Sequence, residues 1–271
     1  MLSVQIIHDP VDRAIERLRT FEPAGGYWLA FSGGKDSQCI YHLAQEAGVR
    51  FEAHYNVTTA DPPELVRFIR HQYPDVAIDK PECNIWTLIA RERTPFTRLA
   101  RYCCHALKER GGMGRIVITG VRWAESNRRR RRGVLEINSR ERGERIVMAD
   151  DGTDRALLEH CPVGGKHILN PIIDWTEFDV WRFIRGRHLS YCSLYDEGFS
   201  RLGCVACPMK GSKRMRVDLR RWPHFERLYL RAFEEMLAER HRRNMPTTWR
   251  SAQEVMDWWI QTPDYPMFVE D

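Results

Sequence analysis

Two groups of residues in this chain have the types and spacing of chemical sites, and the first is the segment Ser32–Ser37, SGGKDS. Its glycines allow backbone N–H groups to converge on an anion. The hydroxyls of Ser32 and Ser37 add hydrogen-bond donors, and the ammonium of Lys35 adds positive charge. The spacing of the Walker A loop and that of the GxGxxG fingerprint are both absent. The segment therefore predicts a phosphate-binding loop of a different kind.

The second group is a set of cysteines, one adjacent pair and one CxxC: Cys103, Cys104, Cys204 and Cys207. Thiolates are the usual ligands of iron–sulfur clusters, and four of them suit tetrahedral zinc equally well. Free thiols are the third interpretation. Neighbouring residues on a helix point about 100° apart, so the adjacent pair can bind one cluster only if the backbone there is distorted. Cys192 and His105 are alternative ligands.

The elements that must position the loop are readable from apolar patterns. The run YWLAF at 27–31 predicts a buried parallel strand before the loop, and an apolar stripe over residues 37–47 predicts a helix after it. Further strands are predicted at 49–57, in VAIDK and in IVITG (116–120). Further helices are predicted at three places: residues 9–21, 62–72 and 176–188. This alternation predicts an α/β fold with a mainly parallel twisted sheet flanked by helices.

The C-terminal part of the chain has a different pattern. Residues 189–212 are rich in turn formers, and residues 219–243 predict one long charged amphipathic helix. The sequence SAQE, beginning at Ser251, is a capping-box pattern for a last short helix. We therefore predict a nucleotide-binding domain with the cysteine cluster over residues 1–212 and a helical C-terminal extension over residues 213–271.

Composition limits the class of protein. The chain has 271 residues, of which 43% are hydrophobic, so it can bury a sizeable core. We find no run of 18 apolar residues and no signal-peptide pattern, and we predict a cytoplasmic protein without a membrane partner. Eight cysteines in a cytoplasmic chain favour metal binding or catalysis over a disulfide scaffold.

The net charge of +5 is concentrated in one segment. Residues 121–145 contain nine arginines and four glutamates, and the core of the segment is Arg128–Arg132. Five like charges in a row favour an exposed loop. The two interpretations are a solvated loop and a clamp for phosphate, sulfate or a nucleic-acid backbone.

Several motifs together carry a resemblance to a known family. SGGKDS resembles the PP-loop of the N-type ATP pyrophosphatase superfamily, which includes the phosphoadenosine phosphosulfate reductase (CysH-like) family. Four further segments are similar to later elements of that family: NVTTADPPEL (56–65), ITGVRWAESNRR (118–129), NPIIDWTEFDVWRFI (170–184) and LYDEGFSRLGCVACP (194–208). The resemblance covers about residues 27–210, and it implies an adenine nucleotide α-hydrolase-like fold.

The resemblance also implies a site for an adenine nucleotide, namely ATP with Mg²⁺. The implied nucleotide-binding residues are Ser32, Gly33, Gly34, Lys35, Asp36, Ser37, Thr59, Asp61, Gly120, Arg122 and Arg128. The implied catalytic residues are Lys35, Asp36, Arg122 and Glu125. Among these, Arg122 and Arg128 are suited to charge-assisted bonds with phosphate, and Glu125 either orients an arginine or binds magnesium. Similarity to adenylylsulfate-type reductases implies that the four cysteines bind a 4Fe–4S cluster, with zinc as the alternative.

The choice between activities depends on a nucleophile. Sulfonucleotide reductases use a separate cysteine within a Glu-Cys-Gly-Leu-His element, and no cysteine follows Cys207 in this sequence. We therefore expect an adenylating enzyme that cleaves ATP to AMP and pyrophosphate for sulfur-related modification, with nucleic acid as one acceptor, as in DndC-like proteins. The alternatives are a reductase that releases sulfite and a nucleotide-binding accessory subunit. A homodimer and a complex with a partner protein both stay open.

Overall fold

The structure is a computed structural model that describes residues 9–109, 111–138, 145–148 and 166–261. These residues divide into two compact units. The first unit runs from the start of the described chain to Asn56, includes Glu64–Asp79, and continues through the described part of Gly111–Leu202. The second unit comprises Val57–Pro63 and the described parts of Lys80–Arg110 and Gly203–Asp271. The domain boundary at residue 212 stays a prediction.

The first unit contains a seven-stranded sheet with the strand order β3-β2-β1-β4-β7-β5-β6. The strands are β1 (Tyr27–Ala30), β2 (Phe51–Asn56), β3 (Ala77–Asp79), β4 (Ile116–Ile118), β5 (Leu135–Asn138), β6 (Arg145–Met148) and β7 (Lys166–Leu169). The pairs among β3, β2, β1, β4 and β7 are parallel, whereas β5 pairs antiparallel with both β6 and β7. The prediction of an α/β fold with a mainly parallel sheet is confirmed.

The helices of the first unit are α1 (Pro10–Thr20), α2 (Lys35–Ala47), α3 (Pro63–Gln72) and α6 (Glu177–Gly186). Of these, α2 connects β1 to β2 and α3 connects β2 to β3, as parallel pairs require. In α2 the apolar stripe predicted from the sequence is buried, with Ile40, Leu43 and Ala44 fully enclosed. Gly48 adopts a left-handed conformation and ends this helix. The core of the first unit therefore fixes α2 against the sheet behind the phosphate loop.

The second unit is helical. Its helices are α4 (Ile85–Glu92), α5 (Tyr102–Leu107), α7 (Ser212–Arg221), α8 (Pro223–Arg242) and α9 (Ala252–Gln261). The long helix predicted over residues 219–243 is present as α8, but it begins at Pro223, because residues up to Arg221 belong to α7 and Trp222 separates the two helices. Pro223 has no N–H to donate and restricts the residue before it, so it starts a new helix instead of continuing the old one.

The parallel register brings the chemically interesting segments to one edge of the sheet. Leu29 in β1 pairs with Ala53 in β2 and with Ile118 in β4. The loop Ser32–Ser37 and Gly120 therefore follow adjacent strands at their carboxyl ends, where α/β sheets bind ligands. Among the described residues, no helix is both long enough and apolar enough to cross a membrane.

Candidate functional site

The phosphate loop joins β1 to the N-terminus of α2. Gly33 has a φ of +70°, and a Cβ atom there would lie 2.6 Å from Cγ1 of Ile69, so this position requires glycine. The hydroxyl of Ser32 donates to Oγ of Ser37 at 3.2 Å, and the hydroxyl of Ser37 donates to the Gly34 carbonyl at 2.8 Å. Gly34 caps the helix with no side-chain bond. The loop thus presents hydroxyls beside a helix N-terminus, which carries partial positive charge.

Lys35 is buried rather than extended into solvent, with a side chain that is 2% exposed. Its Nζ donates to the Ser200 carbonyl at 2.9 Å and lies 3.4 Å from Oε1 of Glu177 and 3.7 Å from Oδ2 of Asp36. Its backbone N–H donates to the hydroxyl of Tyr195 at 2.9 Å. The structure therefore places this ammonium directly beneath the loop, paired with two carboxylates.

Arg122 is the second buried cation of this site, and three groups hold it. Nε donates to Oδ1 of Asp36 at 2.7 Å, and Nη2 donates to Oε2 of Glu177 at 2.8 Å. Nη1 donates to the Trp175 carbonyl at 3.3 Å. Burial alone would raise the pKa of Glu177, but Lys35 and Arg122 outweigh it and lower that pKa. Asp36, Arg122 and Lys35 thus form one charge network, as expected for residues with a shared role.

Glu177 is a site residue that the sequence analysis missed. It is the first residue of α6, directly after Thr176, whose hydroxyl oxygen accepts from the N–H of Asp179 in a capping box. The sequence signal was present, because the TEFD pattern places an acidic residue in the first helical turn. That signal indicates a helix start, however, and nothing in it indicates that the carboxylate contacts Lys35 and Arg122.

Glu125 orients arginines. Its carboxylate, 6% exposed, accepts from the backbone N–H of Arg122 at 3.0 Å and lies 3.0 Å from Nη2 of Arg201. It also forms an ion pair with Arg129. Of the two roles that the sequence left open, this geometry favours the orientation of arginines over magnesium binding. Gly120 has a separate reason to be glycine, because a Cβ there would lie 3.0 Å from the backbone of Asp36.

The arginine run divides into inward and outward residues. Arg132 forms a two-pronged pair with the buried carboxylate of Glu136, at 2.7 and 3.0 Å, and Arg129 binds Glu125. Arg128, Arg130 and Arg131 are exposed. Two of the five arginines therefore stabilise the fold locally, and three remain available to solvent or to a ligand.

Thr59 and Asp61 lie in the second unit, where both take part in hydrogen bonds of their own turn. Oδ2 of Asp61 accepts from the backbone N–H of Thr58 at 2.8 Å. Thr59 has a φ of +64°, and its hydroxyl oxygen accepts from the N–H of Ile85, the first residue of α4, at 2.9 Å. Their contact with a nucleotide stays a prediction.

The four cysteines of the predicted cluster all belong to the second unit. Interaction with the Cys104 thiol, followed by burial, raises the pKa of Cys103, and the charges of Cys204 and Cys207 add smaller contributions. The bond from Cys103, followed by that from Arg101, lowers the pKa of Cys104 to about 5. The charge of Cys204, and to a smaller extent those of Asp61, Cys104 and Cys207, raise the pKa of Lys108 against the opposing effect of burial. The thiolate form of Cys104 is therefore favoured, and the cation of Lys108 lies beside the cysteines.

The CxxC turn is held by residues outside the cysteines. The N–H of Val205 donates to the Ala60 carbonyl at 2.8 Å, and the Tyr229 hydroxyl donates to the Val205 carbonyl at 2.9 Å. Ala206, at a φ of +55°, donates its N–H to the fully buried Asp218 at 3.0 Å. Asp218 also pairs with Lys210. These bonds fix the backbone conformation of the CxxC turn.

The fit of these residues to a metal or cluster rests on the chemistry of the donors. Four thiols beside the ammonium of Lys108 match the charge and the ligand type that an iron–sulfur cluster needs. Within the described ranges, no three Cys, His, Asp or Glu side chains have the arrangement of a metal site. The donor types therefore fit such a group although their arrangement is not that of a metal site, and α5 is helical through Cys103 and Cys104, so the backbone there would have to be distorted for both thiols to share one cluster.

The described cysteines of the first unit, which contains the phosphate loop, are Cys39 and Cys192. Both are buried, with exposures of 0% and 1%. Burial raises the pKa of both thiols. Each thiol is therefore protonated at neutral pH, and neither has the properties of an activated nucleophile. Cys192 was the cysteine considered as a substitute nucleophile or cluster ligand. Cys161 lies outside the described residues.

Comparison with known proteins places these features in a family context. The family described as phosphoadenosine phosphosulfate reductase domain matches residues 26–210. An adenosine 5′-phosphosulfate reductase of Neisseria meningitidis is 34% identical over 82 residues, 30% of this chain and 33% of that protein. An uncharacterised protein of Methanocaldococcus jannaschii is 25% identical over 184 residues, 66% of this chain and 40% of that protein. The chain thus spans about a third of the length of the first of these relatives.

Two solved structures are also similar. The phosphoadenylyl-sulfate reductase of Candida auris, in a phosphate complex, aligns with a TM-score of 0.47 and 16% identity, covering 70% of this chain and 87% of that one. The FMN adenylyltransferase of Candida glabrata, with FAD and pyrophosphate, aligns with a TM-score of 0.45 and 14% identity, covering 72% and 64%.

Proposed function

The chain belongs to the phosphoadenosine phosphosulfate reductase domain family, and from this premise we propose that it cleaves ATP to AMP and pyrophosphate to activate a substrate. In the proposed reaction an oxygen of the substrate attacks the α-phosphorus. The bond from that phosphorus to the bridging oxygen breaks, and pyrophosphate leaves with the electron pair. The adenylated substrate then accepts a sulfur nucleophile from a separate donor, which displaces AMP.

The observation that carries the proposal is the chemistry of the loop-bearing unit. The site offers hydroxyls, a helix N-terminus and two buried cations, which bind phosphate groups and stabilise charge on a leaving pyrophosphate. The described thiols of the same unit, Cys39 and Cys192, are buried and protonated. Attack of a thiolate on a sulfonucleotide would need an accessible, deprotonated cysteine. The site is therefore better suited to adenylation.

Each charged residue of the loop has a role in this proposal. Lys35 and Arg122 hold positive charge beneath the loop, and their ion pairs with Asp36 and Glu177 keep both cations in place. The hydroxyls of Ser32 and Ser37, which donate within the loop in the structure, would turn to donate to the β- and γ-phosphates. Magnesium bound with the nucleotide supplies further neutralisation of the phosphate charge.

For the second unit, we propose that the paired cysteines hold a 4Fe–4S cluster, and zinc is the alternative. The ligands would be Cys103, Cys104, Cys204 and Cys207, with the ammonium of Lys108 offsetting their negative charge. When bound, such a cluster supplies electron-transfer chemistry. The bonds from Ala60, Tyr229 and Asp218 would hold the CxxC turn for this purpose.

The nucleotide preference is the direct test of the proposed activity. We expect anaerobically purified protein to bind ATP with Mg²⁺ at least tenfold more tightly than adenosine 5′-phosphosulfate or its 3′-phosphorylated form, measured by calorimetry. We also expect it to release pyrophosphate when a substrate is present. Preference for a sulfonucleotide, with release of sulfite, would contradict adenylation and support the reductase. Binding of ATP with no turnover on any acceptor would support the accessory-subunit alternative.

The exposed arginines support nucleic acid as the class of acceptor, and this can be tested separately. Replacing Arg128, Arg130 and Arg131 with alanine should reduce the slope of log affinity against log salt concentration by about 2 to 3, because each lost phosphate contact removes about 0.7 to 0.9. The measurement is a salt titration of RNA and DNA binding by fluorescence anisotropy.

The control for this experiment is a second triple variant in which three exposed arginines of α7 and α8 are replaced with alanine: Arg216, Arg220 and Arg231. It removes the same total charge from the protein. Equal losses in both variants would indicate a general effect of net charge, and no change in either would exclude the arginine run as a nucleic-acid clamp.

A further inference from the structure

The segment Tyr195–Arg201 contacts the phosphate loop at two points and Glu125 at a third, all within the first unit. The hydroxyl oxygen of Tyr195 accepts from the N–H of Lys35 at 2.9 Å. The Ser200 carbonyl accepts from Nζ of Lys35 at 2.9 Å. Nη2 of Arg201 lies 3.0 Å from Oε1 of Glu125. Neither Tyr195 nor Arg201 was predicted from the sequence to contact a ligand.

The Tyr195 hydroxyl has a hydrogen to donate and no acceptor for it. Among the described residues, its one hydrogen bond is the bond that it accepts from Lys35. The oxygen lies 3.5 Å from the place where a Cβ of Gly34 would be, as does the hydroxyl of Ser32. Burial raises the pKa of Tyr195, so the group stays protonated at neutral pH. An O–H donor thus adjoins the surface of the loop that would face a phosphate.

Arg201 has spare donors in the same way. A guanidinium has five N–H donors, and among the described residues Arg201 pairs with Glu125 alone. Its side chain is 59% exposed. Its neighbour Arg129 is cationic too, and the charge of Arg201 contributes, after burial, to lowering the pKa of Arg129 to about 10. The guanidinium groups of Arg129 and Arg201 both pair with the carboxylate of Glu125, which leaves a net positive charge that an anion would neutralise.

We propose that Tyr195 and Arg201 form the second wall of the phosphate site and bind the pyrophosphate portion of the nucleotide opposite the loop. In this arrangement the Tyr195 hydroxyl donates to one non-bridging oxygen, and the guanidinium of Arg201 binds another. Glu125 is then a positioning residue, because it acts on the ligand through Arg201 and Arg129. The inference rests on the proposed function, since it assumes that the loop holds the phosphates of a nucleotide.

The test uses inorganic pyrophosphate and ATP with Mg²⁺ as probes in calorimetry on the full chain. Tyr195→Phe removes the hydroxyl alone and should weaken pyrophosphate binding about tenfold, the usual effect of losing one hydrogen bond to a charged group. Arg201→Gln should weaken it by a similar factor or more. The matched controls are Tyr191→Phe and Arg185→Gln. Tyr191 and Arg185 both adjoin Trp181 in the first unit, and their variants should bind within about twofold of the wild type.

The outcomes separate this inference from the proposed function. If the wild type binds ATP and pyrophosphate but Tyr195→Phe binds them equally well or more tightly, the inference is wrong. The Tyr195 hydroxyl then serves only as the acceptor for the Lys35 N–H. If the wild type prefers a sulfonucleotide and both variants lose affinity for it, the proposed adenylation is wrong, but the proposal that Tyr195 and Arg201 bind the ligand is supported. If the wild type binds none of these probes, both fail. If Tyr195→Phe does not fold, the affinity of Arg201→Gln decides the result, because the half-exposed Arg201 side chain can be replaced without unfolding the protein.

Discussion

Replacing Arg122 with alanine is expected to lower the free energy of unfolding by about 3 to 5 kcal/mol and to abolish measurable ATP turnover. The guanidinium is almost fully buried and holds Asp36 at 2.7 Å and Glu177 at 2.8 Å. Its removal leaves two carboxylates beside the loop with only Lys35 to balance them. Breaking a buried ion pair from one side costs about this much when the remaining charge stays desolvated; because the Glu177 side chain is 55% exposed and can be rehydrated, the loss should lie near the lower limit. Urea denaturation measures the loss of stability.

Two further variants separate stability from catalysis. Arg182 pairs with Asp9 and Asp179 at 3.6 and 3.8 Å and is 49% exposed, so Arg182→Ala should cost less than about 1 kcal/mol. Arg122→Lys keeps the charge but cannot bridge two carboxylates in the same way. It should recover part of the stability while turnover stays at least a hundredfold low. Wild-type turnover in a folded Arg122→Ala protein would contradict a catalytic role.

The elements around the loop were predictable because their signals are local. The glycines of SGGKDS, the apolar run before them and the amphipathic stripe after them each act within one element, so the strand, loop and helix follow from periodicity and turn chemistry. The residues at the carboxyl ends of β1 and β4 were predictable for a related reason, because parallel pairing fixes which ends share an edge. The sequence was sufficient wherever one physical requirement decided the local conformation.

The contacts made by long side chains were not predictable in the same way. Glu177 and Tyr195 contact Lys35 from segments more than a hundred residues away along the chain. Tyr195 does so through a hydrogen bond with the Lys35 N–H, and Glu177 through an ion pair with Nζ. Nothing in their own neighbourhoods marks them as partners of the loop. The arginine run is similar, because its charge pattern predicts exposure for all five residues, whereas the buried carboxylates of Glu125 and Glu136 draw Arg129 and Arg132 inward. The ion pairs with Glu125 and Glu136 therefore outweigh the repulsion between neighbouring arginines.

Replacing Cys204 and Cys207 with serine is expected to remove all bound iron from the protein. A 4Fe–4S cluster has about four irons on thiolate ligands, and serine does not provide the soft sulfur donor that such a cluster needs. Iron and acid-labile sulfide, measured per chain on anaerobically purified protein, should fall from about four each to near zero. The absorbance band that gives such clusters their brown colour should disappear with them.

The matched control is Cys83→Ser, because Cys83 is a partly exposed free cysteine of the same unit that belongs to neither pair. This variant should retain full iron content. If Cys204→Ser/Cys207→Ser keeps its iron, these two residues are not the ligands. If the wild type instead carries about one zinc and no iron, and the double variant loses it, the ligands are correct and the metal is zinc. Separate Cys103→Ser and Cys104→Ser variants then decide whether both adjacent thiols bind. Loss of iron from both variants would show that both thiols are ligands, which requires the helical backbone of α5 to be distorted when the cluster binds.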